Sequence, residues 1–171
     1  MLTVYTESEE ETLNLGIKIG ENIFYPSLIA LIGELGSGKT TLVRGIARGM
    51  GIKARVKSPS FIIINEYPGV IPLYHFDLYR LNDPQEINSL GYEEYFYKKG
   101  GVVVIEWADK ILEFLPSDYL EIRLKVEDLE RRKLILLSRG DKKYSKLIEK
   151  LRENTKRGKI DVNTGNGNIP S

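Results

Sequence analysis

Cysteine is absent from the 171 residues, which excludes disulfides and thiolate metal sites and leaves packing alone to hold the fold, as in a reducing compartment. A dominant charge is lacking too. With 25 Lys and Arg against 24 Asp and Glu the formal net charge is +1, so any nucleic-acid contact has to come from a local patch. No apolar run reaches the roughly 18 to 20 residues of a membrane-spanning helix, because Ile23 to Ile32 is interrupted by Tyr25, Pro26 and Ser27. The start, Met1-Leu2-Thr3-Val4-Tyr5-Thr6 followed by acidic residues, has neither the basic nor the apolar region of a signal peptide, and it reads as mature cytoplasmic sequence. Internal repeats and linkers between separate cores are missing as well. We therefore expect one domain over residues 1–153, followed by a disordered tail over 154–171 where apolar periodicity stops.

What is present has the composition of an ordinary globular protein, 42% hydrophobic and 29% charged, enough for a real core. Leu2 to Tyr5 predicts a strand. Ser8-Glu9-Glu10-Glu11 predicts a capped helix start, with Leu13, Ile17 and Phe24 along one side. Leu28-Ile29-Ala30-Leu31-Ile32 is a continuous apolar run between Pro26 and Gly33, the pattern of a strand covered on both faces. Leu42, Val43, Ile46, Ala47 and Met50 recur at helical spacing, and Gly49 and Gly51 mark a stop. Phe61 to Asn65, Leu73 to Leu78 and Val102 to Ile105 predict further strands. Tyr119 to Val126 and Arg132 to Leu137 alternate around Glu127-Asp128-Leu129-Glu130, which predicts an antiparallel hairpin with one wet face; Tyr144, Leu147, Ile148 and Leu151 make a last helical stripe. The fold class this predicts is α/β, a single P-loop domain with a mixed, mostly parallel central sheet flanked by helices.

Gly33-Glu34-Leu35-Gly36-Ser37-Gly38-Lys39-Thr40 matches G-x-x-x-x-G-K-[ST] in full, directly after a predicted strand and before a predicted helix. Glycines let backbone N–H groups close around an anion, and the helix that follows presents its unpaired N–H groups and positive dipole end. Lys39 then sets a cation against the β- and γ-phosphates, the Thr40 hydroxyl ligates Mg²⁺, and Thr41 supports the α-phosphate. Such a loop needs a carboxylate for the metal shell and a group to orient water. Glu106 follows Val102-Val103-Val104-Ile105 at the carboxyl end of a buried strand and is the first candidate. Asp77, within His75-Phe76-Asp77-Leu78-Tyr79-Arg80, is the second, with a salt bridge to Arg80 as its structural alternative. Which of the two orients water stays open. His75, the single histidine, is either a hydrogen-bond partner or a catalyst, and Trp107 either walls the nucleotide or belongs to the core. In Ser58-Pro59-Ser60-Phe61 a small hydroxyl is placed to touch a γ-phosphate as switch loops do.

Taken in order, the glycine loop with Thr41, Ser58-Pro59-Ser60-Phe61, His75 to Arg80 and Glu106-Trp107 closely resemble the TsaE family, the bacterial ATPases of tRNA threonylcarbamoyladenosine biosynthesis. The likeness runs from about Ser8 to Gly140. It implies ATP and Mg²⁺ as cofactors, Lys39 and Thr40 on phosphate and metal, Glu106 as a metal-site acid, and Asp77 and Trp107 at the nucleotide. It further implies Thr12 near adenine and a late arginine, Arg131 or Arg132, facing the nucleotide. Where the family has Ser-Pro-Thr-Phe this chain has Ser60, which keeps the hydroxyl and loses a methyl. The implied partners are the threonylcarbamoyltransferase subunit and its paralogous partner subunit, with hydrolysis weak in isolation and resetting that complex between cycles of transfer to adenosine 37 of ANN-decoding tRNAs.

Other readings make different demands. A GTPase needs an Asn-Lys-x-Asp guanine reader, and the sequence has none. A small-molecule kinase needs an arginine-rich lid, whereas Arg131 and Arg132 fall on or beside a predicted strand. A nucleotide-gated protein-binding module with little hydrolysis remains open. Direct tRNA contact through Lys142, Lys143, Lys146, Lys150, Arg152, Lys156, Arg157 and Lys159 competes with a plain solvated helix surface, since Asp141, Glu149, Glu153 and Asp161 interrupt the run.

Overall fold

A computed structural model describes residues 1–57 and 63–156. The elements run β1 (Leu2–Thr6), α1 (Glu9–Asn22), β2 (Ser27–Ile32), α2 (Lys39–Gly49), β3 (Ile64–Tyr67), β4 (Leu73–Asp77), β5 (Val102–Glu106), β6 (Tyr119–Val126), β7 (Arg132–Arg139) and α3 (Ser145–Lys156). Short 3₁₀ or π segments at Pro84–Leu90, Glu94–Lys98 and Ala108–Phe114 lie on either side of β5 in the chain. The seven strands form one sheet in the order β1-β7-β6-β2-β5-β4-β3.

Its middle is parallel: β6, β2, β5 and β4 all run the same way, with β2 paired to β5 on one side and β6 on the other. The rims are antiparallel, β3 on β4 and β1-β7-β6 as a meander closed by the predicted hairpin. The continuous apolar run of β2 follows from its place between two parallel neighbours, where both faces are covered. Residues Ile29, Leu31, Val102, Val104, Leu120 and Ile122 face α1, α2 and α3. On the other side Leu28, Ala30, Phe76, Val103 and Ile105 pack against the 3₁₀ and π segments through aromatic rings such as Tyr95 and Phe96. The hairpin has the expected wet face, with Arg123 and Lys125 exposed between buried Leu120, Ile122 and Leu124.

Ser8 caps α1, its Oγ accepting from Glu11 N at 3.1 Å, but the Glu11 carboxylate reaches back to Glu7 N rather than to Ser8. The buried face of α1 also differs from the expected stripe. Thr12, Leu15, Gly16, Ile19 and Gly20 are buried, while Leu13 and Ile17 are only half-buried. Glycine explains the difference, because hydrophobic periodicity gives a residue without a side chain no weight. Gly16 and Gly20 of α1 meet Gly45 and Gly49 of α2, so the two backbones touch, and a Cβ on Gly16 would stand 2.5 Å from the Leu42 carbonyl oxygen. The α3 stripe of Leu147, Ile148 and Leu151 is buried as read, although the helix continues past residue 153 to Lys156. Residues 157–171, most of the expected tail, lie outside the described part.

Candidate nucleotide and metal site

Strand β2 ends at Ile32 and α2 starts at Lys39, so the glycine loop spans the carboxyl edge of the parallel sheet at the amino end of a helix. Gly38, just before the helix, has φ 97°, and Gly36 has φ 76°, values that an L side chain adopts only under strain. This winding leaves the first N–H groups of α2 without a side-chain cap, and unpaired helix N–H groups are what an anion binds. The Lys39 ammonium turns back into the loop, donating to the carbonyls of Gly33 at 2.7 Å and Glu34 at 2.8 Å. It also stands 4.0 Å over the Trp107 ring. Burial lowers its pKa from the ordinary lysine value, while the Glu106 and Asp77 carboxylates oppose that shift.

Glu106 closes β5 and is 2% exposed. The Thr40 hydroxyl lies 3.0 Å from each of its carboxylate oxygens, and His75 Nε2 lies 2.8 Å from Oε1. Asp77 ends β4 in register with Glu106 on the neighbouring parallel strand. Its carboxylate accepts from Tyr79 N at 3.1 Å and lines the same cleft. Trp107 follows Glu106 in a left-handed conformation, φ 60° and ψ 40°, at a cost of about 1–3 kcal/mol for a bulky residue. Its ring meets Tyr79, centroids 5.2 Å apart, and it both lines the cleft and packs against the hydrophobic cluster of Phe76 and Ile105.

The cleft over these groups measures about 740 Å³, room for a nucleotide-sized ligand. Of the residues singled out from sequence, Thr12, the loop from Leu35 to Thr41, Asp77, Glu106, Trp107 and Arg132 line it. Gly33 and Glu34 enter only through their carbonyls, as acceptors from Lys39. Of the two arginines, Arg132 lines the cleft and reaches the Gly36 carbonyl at 3.4 Å, whereas Arg131 turns to Glu7 and lies over Tyr5. Ser60, with Ser58, Pro59 and Phe61, lies outside the described residues. Sequence reasoning missed Glu9, whose carboxylate lines the cleft and accepts from the Thr41 hydroxyl at 3.1 Å. A partner 32 positions away leaves no local signal.

Among the described residues no three His, Asp or Glu side chains converge to hold a metal by themselves. The donors that do meet, the Thr40 hydroxyl and the Glu106 carboxylate with Asp77 alongside, are all oxygen. That set suits a hard cation such as Mg²⁺, which keeps most of its shell for water and phosphate. No helix among them is long and apolar enough to cross a membrane.

A parallel-centred sheet with a G-x-x-x-x-G-K-T loop between strand and helix, and an acid at the end of the next strand, defines a P-loop α/β protein. Comparison with known proteins takes this further. Residues 6–134 match the family described as threonylcarbamoyl adenosine biosynthesis protein TsaE, and the chain belongs to that family. It is 46% identical over 134 residues to the tRNA threonylcarbamoyladenosine biosynthesis protein TsaE of a Nostoc species, covering 75% of this chain and 80% of that one. It is 44% identical over 125 residues to the Bacillus subtilis protein of the same name, covering 72% and 77%. The crystal structure of Bacillus subtilis YdiB superposes with a TM-score of 0.74 at 36% identity, over 90% of this chain and 95% of that one.

Proposed function

We propose that this chain binds and hydrolyses Mg-ATP in support of tRNA threonylcarbamoyladenosine biosynthesis, as the accessory ATPase of the transferase subunit and its paralogous partner. The observation that carries the reading is the Thr40 hydroxyl at 3.0 Å from both oxygens of buried Glu106, at the foot of a complete phosphate loop. Loop N–H groups and the amino end of α2 bind the β- and γ-phosphates, and Lys39 exchanges its carbonyl partners for phosphate oxygens. Thr40, Glu106 and Asp77 would hold Mg²⁺, which supplies charge neutralisation on the phosphates when bound. Asp77 and Glu106, in register on adjacent strands, also provide the acceptor that orients attacking water. Trp107 walls the cleft, and Arg132 faces it from the hairpin.

The family name supports the pathway, and the site supports the chemistry. The test is ATP hydrolysis with Mg²⁺ by the purified chain, alone and with the transferase pair and tRNA, with Lys39→Ala as control. Weak turnover alone that rises with the partners and vanishes in Lys39→Ala is the expected result. ATP binding with no turnover in any mixture would replace this reading with a nucleotide-gated binding module.

A further inference from the structure

His75, the chain's single histidine, is fully buried in β4, two residues before Asp77 and on the same side of the sheet. The register pairs it with Val104 of β5, two positions before the pair Asp77 and Glu106. Around it lie apolar Leu73, Val102 and Val104, so a polar ring is costly there unless its hydrogen bond matters. That bond runs from Nε2 to Glu106 Oε1 at 2.8 Å. A carboxylate only accepts, so the hydrogen belongs to Nε2. Nδ1 is buried without a hydrogen-bond partner among the described residues, and the ring stacks on Tyr67 with centroids 6.5 Å apart. A hydrogen on Nδ1 would be a buried donor with no acceptor, which selects the tautomer with hydrogen on Nε2 and Nδ1 bare.

The two restraints on Glu106 differ in kind. The Thr40 hydroxyl is equidistant from both carboxylate oxygens at 3.0 Å and does not distinguish them. His75 touches Oε1 alone and breaks that symmetry.

We propose that His75 is the positioning residue of this site: its Nε2–H fixes the rotation of the Glu106 carboxylate, so that Oε2 is the oxygen presented beside Thr40 to the cation. The inference rests on the Mg-ATP reading above. A histidine locked by one carboxylate bond orients an acid as an outer-shell partner orients a metal ligand, and the loss of such partners typically costs about 10–100-fold in metal affinity or activity.

The test uses the full chain with His75→Leu and His75→Gln. Because only one histidine is present, its imidazole ¹⁵N spectrum reads the tautomer directly. Binding of a fluorescent ATP analogue is then measured across a Mg²⁺ series, together with turnover. The expected spectrum is the Nε2–H form. His75→Leu should raise the Mg²⁺ midpoint and lower turnover by about 10–100-fold with metal-free nucleotide binding unchanged, and His75→Gln, which returns an N–H near the Nε2 position, should recover most of both. A purely structural histidine would lower stability in the two variants alike and leave the Mg²⁺ midpoint where it was, which overturns the proposal, as does an Nδ1–H spectrum. If His75→Leu does not fold, His75→Gln and the tautomer decide. If the wild-type chain binds no nucleotide, it is the Mg-ATP reading that falls, and the tautomer still decides whether His75 holds Glu106.

Discussion

Two buried carboxylates flank β2, Glu106 on β5 and Glu121 on β6, each 2% exposed, and they are held in opposite ways. Glu121 is surrounded by cations: Arg139 donates from Nε at 2.7 Å and Nη2 at 2.9 Å, and Arg123 donates from Nε. Burial pushes the Glu121 carboxyl up, but the arginine hydrogen bonds outweigh it and hold its pKa below the ordinary value. Glu106 meets a hydroxyl and an imidazole, and among the described residues no lysine or arginine forms an ion pair with it. A buried acid with its charge already matched is part of the framework. One that no arginine or lysine clasps directly is, in the function proposed above, free to take a cation.

Glu106→Gln tests this difference with the largest expected effect. It should lower the proposed partner-stimulated ATP turnover by about 10²–10⁴-fold, the usual weight of a group that moves or orients a proton, while the melting temperature changes little because the amide oxygen still accepts from Thr40 and His75. Steady-state turnover and thermal melting of the same preparation check it. A large loss of stability with normal turnover would make Glu106 a structural acid like Glu121.

Glu121→Gln should do the reverse. Losing charge-assisted bonds to two arginines costs about 2 kcal/mol. For a chain of this size that lowers the melting temperature by roughly 4–8 °C, with turnover per folded molecule unchanged. The pH dependence has a defined sign. Because the folded pKa of Glu121 is depressed, its stabilisation is full above the unfolded value near 4.5 and is lost as pH falls through the lower folded value. Melts of wild type and Glu121→Gln should therefore differ at pH 7 and converge only as pH falls past the lowered folded value of Glu121. Curves that stay parallel would show that the ion pairs carry no net stabilisation.

This contrast was half legible in the sequence. Val102 to Ile105 running into Glu106 is a buried strand ending in an acid, and the loop from Gly33 to Thr40 supplies the reason for that acid. The sheet's centre was readable for the same reason, since strands covered on both faces are uniformly apolar. Glu121 gives no such signal: within Tyr119 to Val126 it reads as one more polar residue on a wet face, and only the pairing of β6 with β7 brings Arg139 against it. Contacts across strands depend on register, which periodicity does not carry. The bond from His75 to Glu106 was hidden likewise, and so was the packing of α1 on α2, where the contact is made by glycines.

The smallest effect separates the two arginines. Arg139 makes two hydrogen bonds to Glu121 from an adjacent strand, with its side chain 41% exposed, whereas Arg123 makes one from two residues along the same strand and is 53% exposed. A half-exposed single contact is screened by water and opposed by side-chain entropy, so Arg123→Gln should cost less than about 1 kcal/mol. The two-bond Arg139 should cost about 1–2 kcal/mol as Arg139→Gln. Denaturant melts of both single variants and the double variant measure how far each arginine depends on the other. If Glu121 needs only one guanidinium to offset its burial, the double variant will lose more than the sum of the singles, because the last match for a buried carboxylate is the one that counts. Simple additivity would mean that each arginine acts as an independent surface pair, and the framework role of Glu121 would then rest on its hydrogen bonds rather than on its charge.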